Sequence, residues 1–127
     1  MGGFIRRDVK RVETTAFNTT INKEVFDSFK DYCKEMGYPM NVLLEIFMQQ
    51  YIKGRFNLNS NDILKWKKDN SEIDSLNTTL NKEVYVNFKQ ACKNNGFFVK
   101  HVLTAFMEEL VSENVILEYV DVSETKQ

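Results

Sequence analysis

The chain has 127 residues, 43% of them hydrophobic and 28% charged, with 17 Lys plus Arg against 18 Asp plus Glu for a net charge of −1. This is the composition of one globular domain, and it excludes both a disordered chain and a basic protein that coats nucleic acid by charge alone. No apolar run nears the roughly 18 residues needed to cross a membrane. The first eleven residues lack the apolar stretch of a secretory signal, and two cysteines suit a reducing, cytoplasmic setting without disulfides.

In chain order, residues 1–15 form an arm carrying Arg6, Arg7, Lys10 and Arg11 against Asp8 and Glu13, a charge of +2. A first unit follows over 16–56. Ala16 to Ile21 alternates as a strand, with Phe17, Thr19 and Ile21 on one face and Ala16, Asn18 and Thr20 on the other. Asn22 reads as the N-cap of a helix whose apolar face is Val25, Phe26, Phe29, Tyr32, Cys33 and Met36, ended by Gly37. Pro39 suits the start of a second helix with Leu43, Ile46, Phe47 and Tyr51 inward, ended by Gly54. Residues 57–74 are a polar linker. A short helix is expected within it over 61–69, capped by Ser60 or Asn61 and anchored by Ile63, Leu64 and Trp66.

A second unit over 75–115 repeats the plan. Setting 17–56 against 76–115, a shift of 59 without a gap, gives 15 identities in 40 positions. Phe-Asn-Thr-Thr-Ile-Asn-Lys-Glu-Val-Phe meets Leu-Asn-Thr-Thr-Leu-Asn-Lys-Glu-Val-Tyr, and Cys33, Gly37, Leu44, Phe47 and Met48 meet Cys92, Gly96, Leu103, Phe106 and Met107. Such self-similarity marks duplication of a structural unit. In this copy Leu76, Thr78 and Leu80 are inward, and Ser75, Asn77 and Thr79 outward. Asn81 caps a helix lined by Val84, Tyr85, Phe88, Ala91 and Cys92 and closed by Gly96. Val102, Leu103, Phe106, Leu110 and Val111 line the last helix, and an acidic tail over 116–127 frays.

One strand per unit leaves a row of unpaired backbone groups. Two such strands can pair as an antiparallel ribbon, which is marginal in water unless helices cover one face. The expected fold is therefore mainly α with one two-stranded antiparallel ribbon, four helices and a shared core: a dimer folded into one chain, residues 16–115 forming one domain.

Residues 17–29, the Glu-Met-Gly-Tyr-Pro-Met-Asn-Val-Leu-Leu run over 35–44, and their counterparts from Leu76 resemble the ribbon-helix-helix family of DNA-binding proteins, the class of the Arc, MetJ and CopG repressors. The likeness covers about 80 of the 127 residues in two blocks. Tandem copies in one chain resemble the TraY type of conjugative-plasmid accessory protein. The resemblance implies that the ribbon enters the major groove of double-stranded DNA and reads base edges with its outward side chains. Here these are Ala16, Asn18, Thr20, Ser75, Asn77 and Thr79. Asn can make two hydrogen bonds to adenine, and Thr can bond a base edge or pack on a thymine methyl. The resemblance also implies a phosphate at the N-terminus of each second helix, at Met40 and Asn41 and at Val99 and Lys100. Pro39 and Phe98 stand where many relatives carry Ser or Thr. Lys23 and Lys82 open the first helices within reach of phosphates, and the basic arm would follow the backbone or enter a minor groove.

Each copy is neutral by itself, so DNA binding requires segregation of charge within the surface. The function implied is a transcriptional repressor. The alternatives are a plasmid or mobile-element protein that marks a transfer origin or partition site, and an antitoxin-like protein-interaction module without DNA binding. A second chain on an adjacent DNA site would raise affinity. Cys33 and Cys92 read as core residues and His101 as a bystander near a helix start. No nucleophile–base pair, phosphate-cradling glycine loop or metal-ligand spacing points to an enzyme, a metal or a cofactor.

Overall fold

In a computed structural model of the chain, residues 12–56 and 58–112 are described. The arm residues Arg6, Arg7, Lys10 and Arg11 and the acidic tail lie outside them. The elements are β1 (Thr14–Asn22), α1 (Lys23–Met36), α2 (Met40–Ile52), α3 (Ser60–Leu64), a 3-10 turn (Lys65–Lys68), β2 (Ile73–Asn81), α4 (Lys82–Asn94) and α5 (Val99–Val111). The described chain is mostly helical, with five α-helices and one two-stranded antiparallel sheet.

Local chemistry fixes the element ends. The Asn22 side chain accepts from the Val25 N–H and that of Asn81 from the Val84 N–H, both at 3.0 Å, so each strand turns directly into a capped helix. At the other end of α1, Gly37 sits at φ 78°, a backbone that a side chain would strain. There the Tyr38 N–H reaches back to the Cys33 carbonyl at 2.9 Å, and Phe97 does the same to Cys92 after α4. α2 ends at Ile52, two residues before Gly54.

β1 and β2 pair along their whole length, with Asn18 opposite Asn77 at the midpoint. The ladder extends one step beyond each strand: the Lys23 N–H bonds the Glu72 carbonyl and the Lys82 N–H the Glu13 carbonyl, both at 2.9 Å. Phe17, Ile21, Leu76 and Leu80 are buried on one face, while Thr19 and Thr78 are half-buried beside them.

The helices pack crosswise on that face. α1 lies against α5 and α2 against α4, in each case more extensively than against its own neighbour in sequence. Phe47 and Phe106 stack face to face at the centre, ring centroids 4.1 Å apart and planes 9° from parallel. Phe29 meets Phe106 edge-on at 6.0 Å and Phe88 meets Phe47 at 5.6 Å. Phe56, the last residue of the first unit, sets its edge against both stacked rings.

Several details of the expected core change. Met36, the last residue of α1, is exposed. Leu44 and Met48 are buried as fully as Leu43 and Phe47, because α2 is covered by both β2 and α4 and has no wide solvent face. The short linker helix is capped by Asn59, whose side chain accepts from the Asn61 N–H at 2.8 Å. Ile63 of this helix is buried, but Leu64, the next residue and about 100° further round the helix, is exposed. Among the described residues no helix is long and apolar enough to cross a membrane.

Candidate nucleic-acid interface

The outer face of the ribbon has no element packed on it among those described. Ala16, Asn18, Ser75, Asn77 and Thr79 are exposed, and Thr20 is half-buried at one edge. Pairing sets Ala16 opposite Thr79, Asn18 opposite Asn77 and Thr20 opposite Ser75. These three rungs, two residues apart along each strand, extend about 14 Å. The patch is therefore a narrow strip of small hydrogen-bonding side chains around two central amides. Neither Asn18 nor Asn77 is tied to a neighbouring side chain among the described residues, so both amides are available to a partner.

The ends of the strip differ in charge. At the end where β1 runs into α1, the Lys23 ammonium is bound to Asp27 at 2.8 Å. The hydrogen bond to that carboxylate raises the Lys23 pKa and lowers that of Asp27. Lys30 reaches Asp27 at 3.5 Å and Asp74 at 3.9 Å. At the opposite end Lys82 is exposed, and Val86 stands where the first copy has Asp27. Lys82 makes no ion pair among the described residues.

The starts of α2 and α5 flank the strip. Met40 and Asn41 open α2, and Val99 and Lys100 open α5. Neither Pro39 nor Phe98 provides a side-chain cap, so the first-turn N–H groups of both helices lack that partner. Lys100 is exposed, whereas Met40, Asn41 and Val99 are half-buried. These three can offer backbone donors more readily than side chains. Glu45 on α2 accepts from the Asn81 N–H at 2.8 Å, which ties that helix to the end of β2.

One cluster was hidden from sequence reasoning. The linker folds back over α5: Ile63 is buried, Lys65 binds Glu108 at 2.9 Å, and Trp66 packs against the core. This brings Trp66 and Asp69 beside Asn22 at the end of β1 and beside Lys100, His101 and Thr104 on α5, around a cleft of about 70 Å³. Asp69 accepts from the Asn22 amide at 3.1 Å and from the Ser71 hydroxyl at 2.8 Å, and these bonds lower its pKa. Burial, then the ammonium groups of Lys100 and Lys67, push the His101 pKa down, so this imidazole is neutral at pH 7. Trp66 and His101 are 35 positions apart. No local pattern announces a contact made by a linker folding over a distant helix.

Cys33 and Cys92 are buried, and desolvation raises their thiols to about 11 and about 12. Both are protonated and chemically quiet at neutral pH. No group of three or more metal-ligating side chains occurs among the described residues.

No protein-family model, no curated protein and no solved structure matches the chain.

Proposed function

We propose that this chain is a sequence-specific double-stranded DNA-binding protein that lays the β1–β2 ribbon in the major groove, two ribbon-helix-helix units in one chain acting as a dimer would. The observation that carries this reading is the direct opposition of Asn18 and Asn77 at the centre of an uncovered ribbon face. These residues are 59 positions apart, the repeat spacing, and so are Phe47 and Phe106 in the central stack. One approximate twofold axis through both pairs accounts for the pairing register, the crosswise helix packing and the paired Phe contacts together.

The groove, about 12 Å wide, admits a two-stranded ribbon, and the six outward side chains are of types that meet base edges. Asn18 and Asn77 would bond adenines, Thr20 and Thr79 would contact thymine methyls or base-edge acceptors, and the two half-sites would be similar A·T-containing sequences. Ala16 in one strand and Ser75 in the other make them unequal. Lys82, Lys100 and the free N–H groups opening α2 and α5 would hold phosphates. Lys23 contributes less because Asp27 already neutralises it. Occupancy of a site by such a domain excludes other proteins from it, which is the action of a transcriptional repressor.

The test is selection from a random duplex pool, followed by fluorescence anisotropy on the enriched duplex across salt concentrations. The expected result is one enriched sequence and a loss of about 1–3 kcal/mol per base contact in the Asn18→Ala/Asn77→Ala variant. Failure to enrich any sequence, with no binding even at low salt, would overturn the reading.

A further inference from the structure

The cap that ends α4 contains the one Asn–Gly pair in the sequence, Asn95–Gly96. Such a pair can modify itself. The Gly96 main-chain nitrogen attacks the Asn95 side-chain carbonyl carbon. A C–N bond forms, the bond to the side-chain amide nitrogen breaks, and ammonia leaves with the Gly96 N–H proton. Water then opens the five-membered imide at either carbonyl, giving aspartate or isoaspartate. The reaction needs no oxidant and no reactant besides water, and glycine favours it because no side chain crowds the attacking nitrogen.

Asn95 and Gly96 are both exposed, so water reaches them. The fold holds the reacting atoms apart. At ψ −2° the Gly96 nitrogen eclipses the Asn95 main-chain nitrogen rather than Cβ. The Cα–C bond must turn by about 120° before the ring can close. Three hydrogen bonds oppose that turn. The Gly96 N–H donates to the Lys93 carbonyl at 3.0 Å and the Phe97 N–H to the Cys92 carbonyl at 2.9 Å. The Asn95 amide donates to the Tyr51 hydroxyl at 2.8 Å, which ties the end of α4 to α2. Phe97 is also half-buried against the core.

We propose that Asn95–Gly96 is a deamidation site closed by this cap and opened by local fraying of it, so that the modification is a one-way mark of the opening. Aspartate puts a negative charge at the C-terminal end of α4, where the helix dipole opposes it. Isoaspartate adds a carbon to the main chain between the carbonyls of α4 and the two N–H groups that close on them. Either product holds the cap less well, so the mark, once made, favours further opening. The first unit carries Met36–Gly37 at the equivalent place and has no amide to react. Neither Asn95 nor Gly96 lies on the ribbon, so the reaction is independent of any ligand there.

The full chain is held at pH 8 in buffer and in concentrated urea, and conversion at each asparagine is followed by peptide mass spectrometry. In urea Asn95 should convert before any other asparagine. In buffer it should convert on the order of 100-fold more slowly, since opening forfeits three hydrogen bonds. Tyr51→Phe removes one of the three and should speed conversion in buffer about fivefold, with the rate in urea unchanged. Asn22→Ala weakens the first unit and leaves this cap intact, so the rate in buffer should not change. Asn95→Asp, the equivalent of one product, should lower the urea midpoint by about 0.3 M. Equal rates in buffer and urea overturn the closed cap, and another asparagine converting first in urea overturns the site. An acceleration of about fivefold in Asn22→Ala, matching its loss of stability, overturns local fraying and routes the reaction through global unfolding. An unchanged rate in buffer for Tyr51→Phe overturns the part given to the tie between α2 and α4.

Discussion

Phe47 and Phe106 are fully buried and stack at 4.1 Å, each coming from a different half of the chain. Replacing either by Leu keeps an apolar side chain of similar size, a change that by shape alone costs about 1 kcal/mol. Loss of ring–ring contacts adds about 0.5–1.5 kcal/mol. Phe47 also meets Phe56, Phe88 and Tyr51 edge-on or tilted, and Phe106 also meets Phe29 and Phe56. Each single variant should therefore lose about 2 kcal/mol. In the double variant the shared stack is lost only once, so the effects should fall short of additive by about 0.5–1.5 kcal/mol. Urea unfolding reads this directly, followed by far-ultraviolet circular dichroism for all helices and by Trp66 emission for the linker. With a urea slope of about 1.5 kcal/mol per molar, each single variant should shift the midpoint down by about 1.3 M. The two signals should coincide in every variant, because α1 on α5 and α2 on α4 leave neither half a core of its own. Additivity within about 0.3 kcal/mol would show that the rings do not share a stack. Separate transitions for the two signals would show that the halves fold independently.

Three further outcomes follow from particular contacts. Asn22→Ala and Asn81→Ala each remove a cap at the point where a strand becomes a helix, and each should cost about 1 kcal/mol in the same urea assay. Cys33 and Cys92 should react with a disulfide reagent only as the protein opens, since burial holds the thiols at about 11 and about 12; fast labelling of the native protein at pH 8 would contradict their placement. The folded pKa of His101 lies below its unfolded value, so the neutral imidazole's contribution to stability is present above the unfolded value near 6.5 and is lost as pH falls through the folded one. Between pH 7 and 5 the wild type should therefore lose more stability than His101→Gln, read as the difference in their urea midpoints.

The candidate interface divides into two kinds of information. The outward set of the ribbon was legible because strand alternation has a period of two and the repeat supplies the partner strand. Asn18 and Asn77 occupy equal places in the repeat and stand opposite each other in the sheet. The charge around that strip was not legible. Lys23 and Lys82 are identical in sequence context for several residues. Only the fourth position after each, Asp27 or Val86, decides whether the charge is neutralised. Trp66 and Lys100, which line one cleft with His101, belong to segments with no pattern in common.

What the sequence by itself determined are the features set by near neighbours. These are the strand alternation, the Asn caps, the glycine-ended helices and the spacing of 59 that duplicates them all. Each depends on bonds and faces within a few residues, so the residues themselves carry it. The tertiary structure alone decided which helix surfaces are covered. α2 is enclosed on two sides, so Leu44 and Met48 join its core, whereas Met36 at the end of α1 is exposed. It also decided that the linker docks on α5 through Ile63, Lys65 and Trp66. Those outcomes depend on how distant surfaces meet, and the energy of that meeting belongs to both surfaces at once.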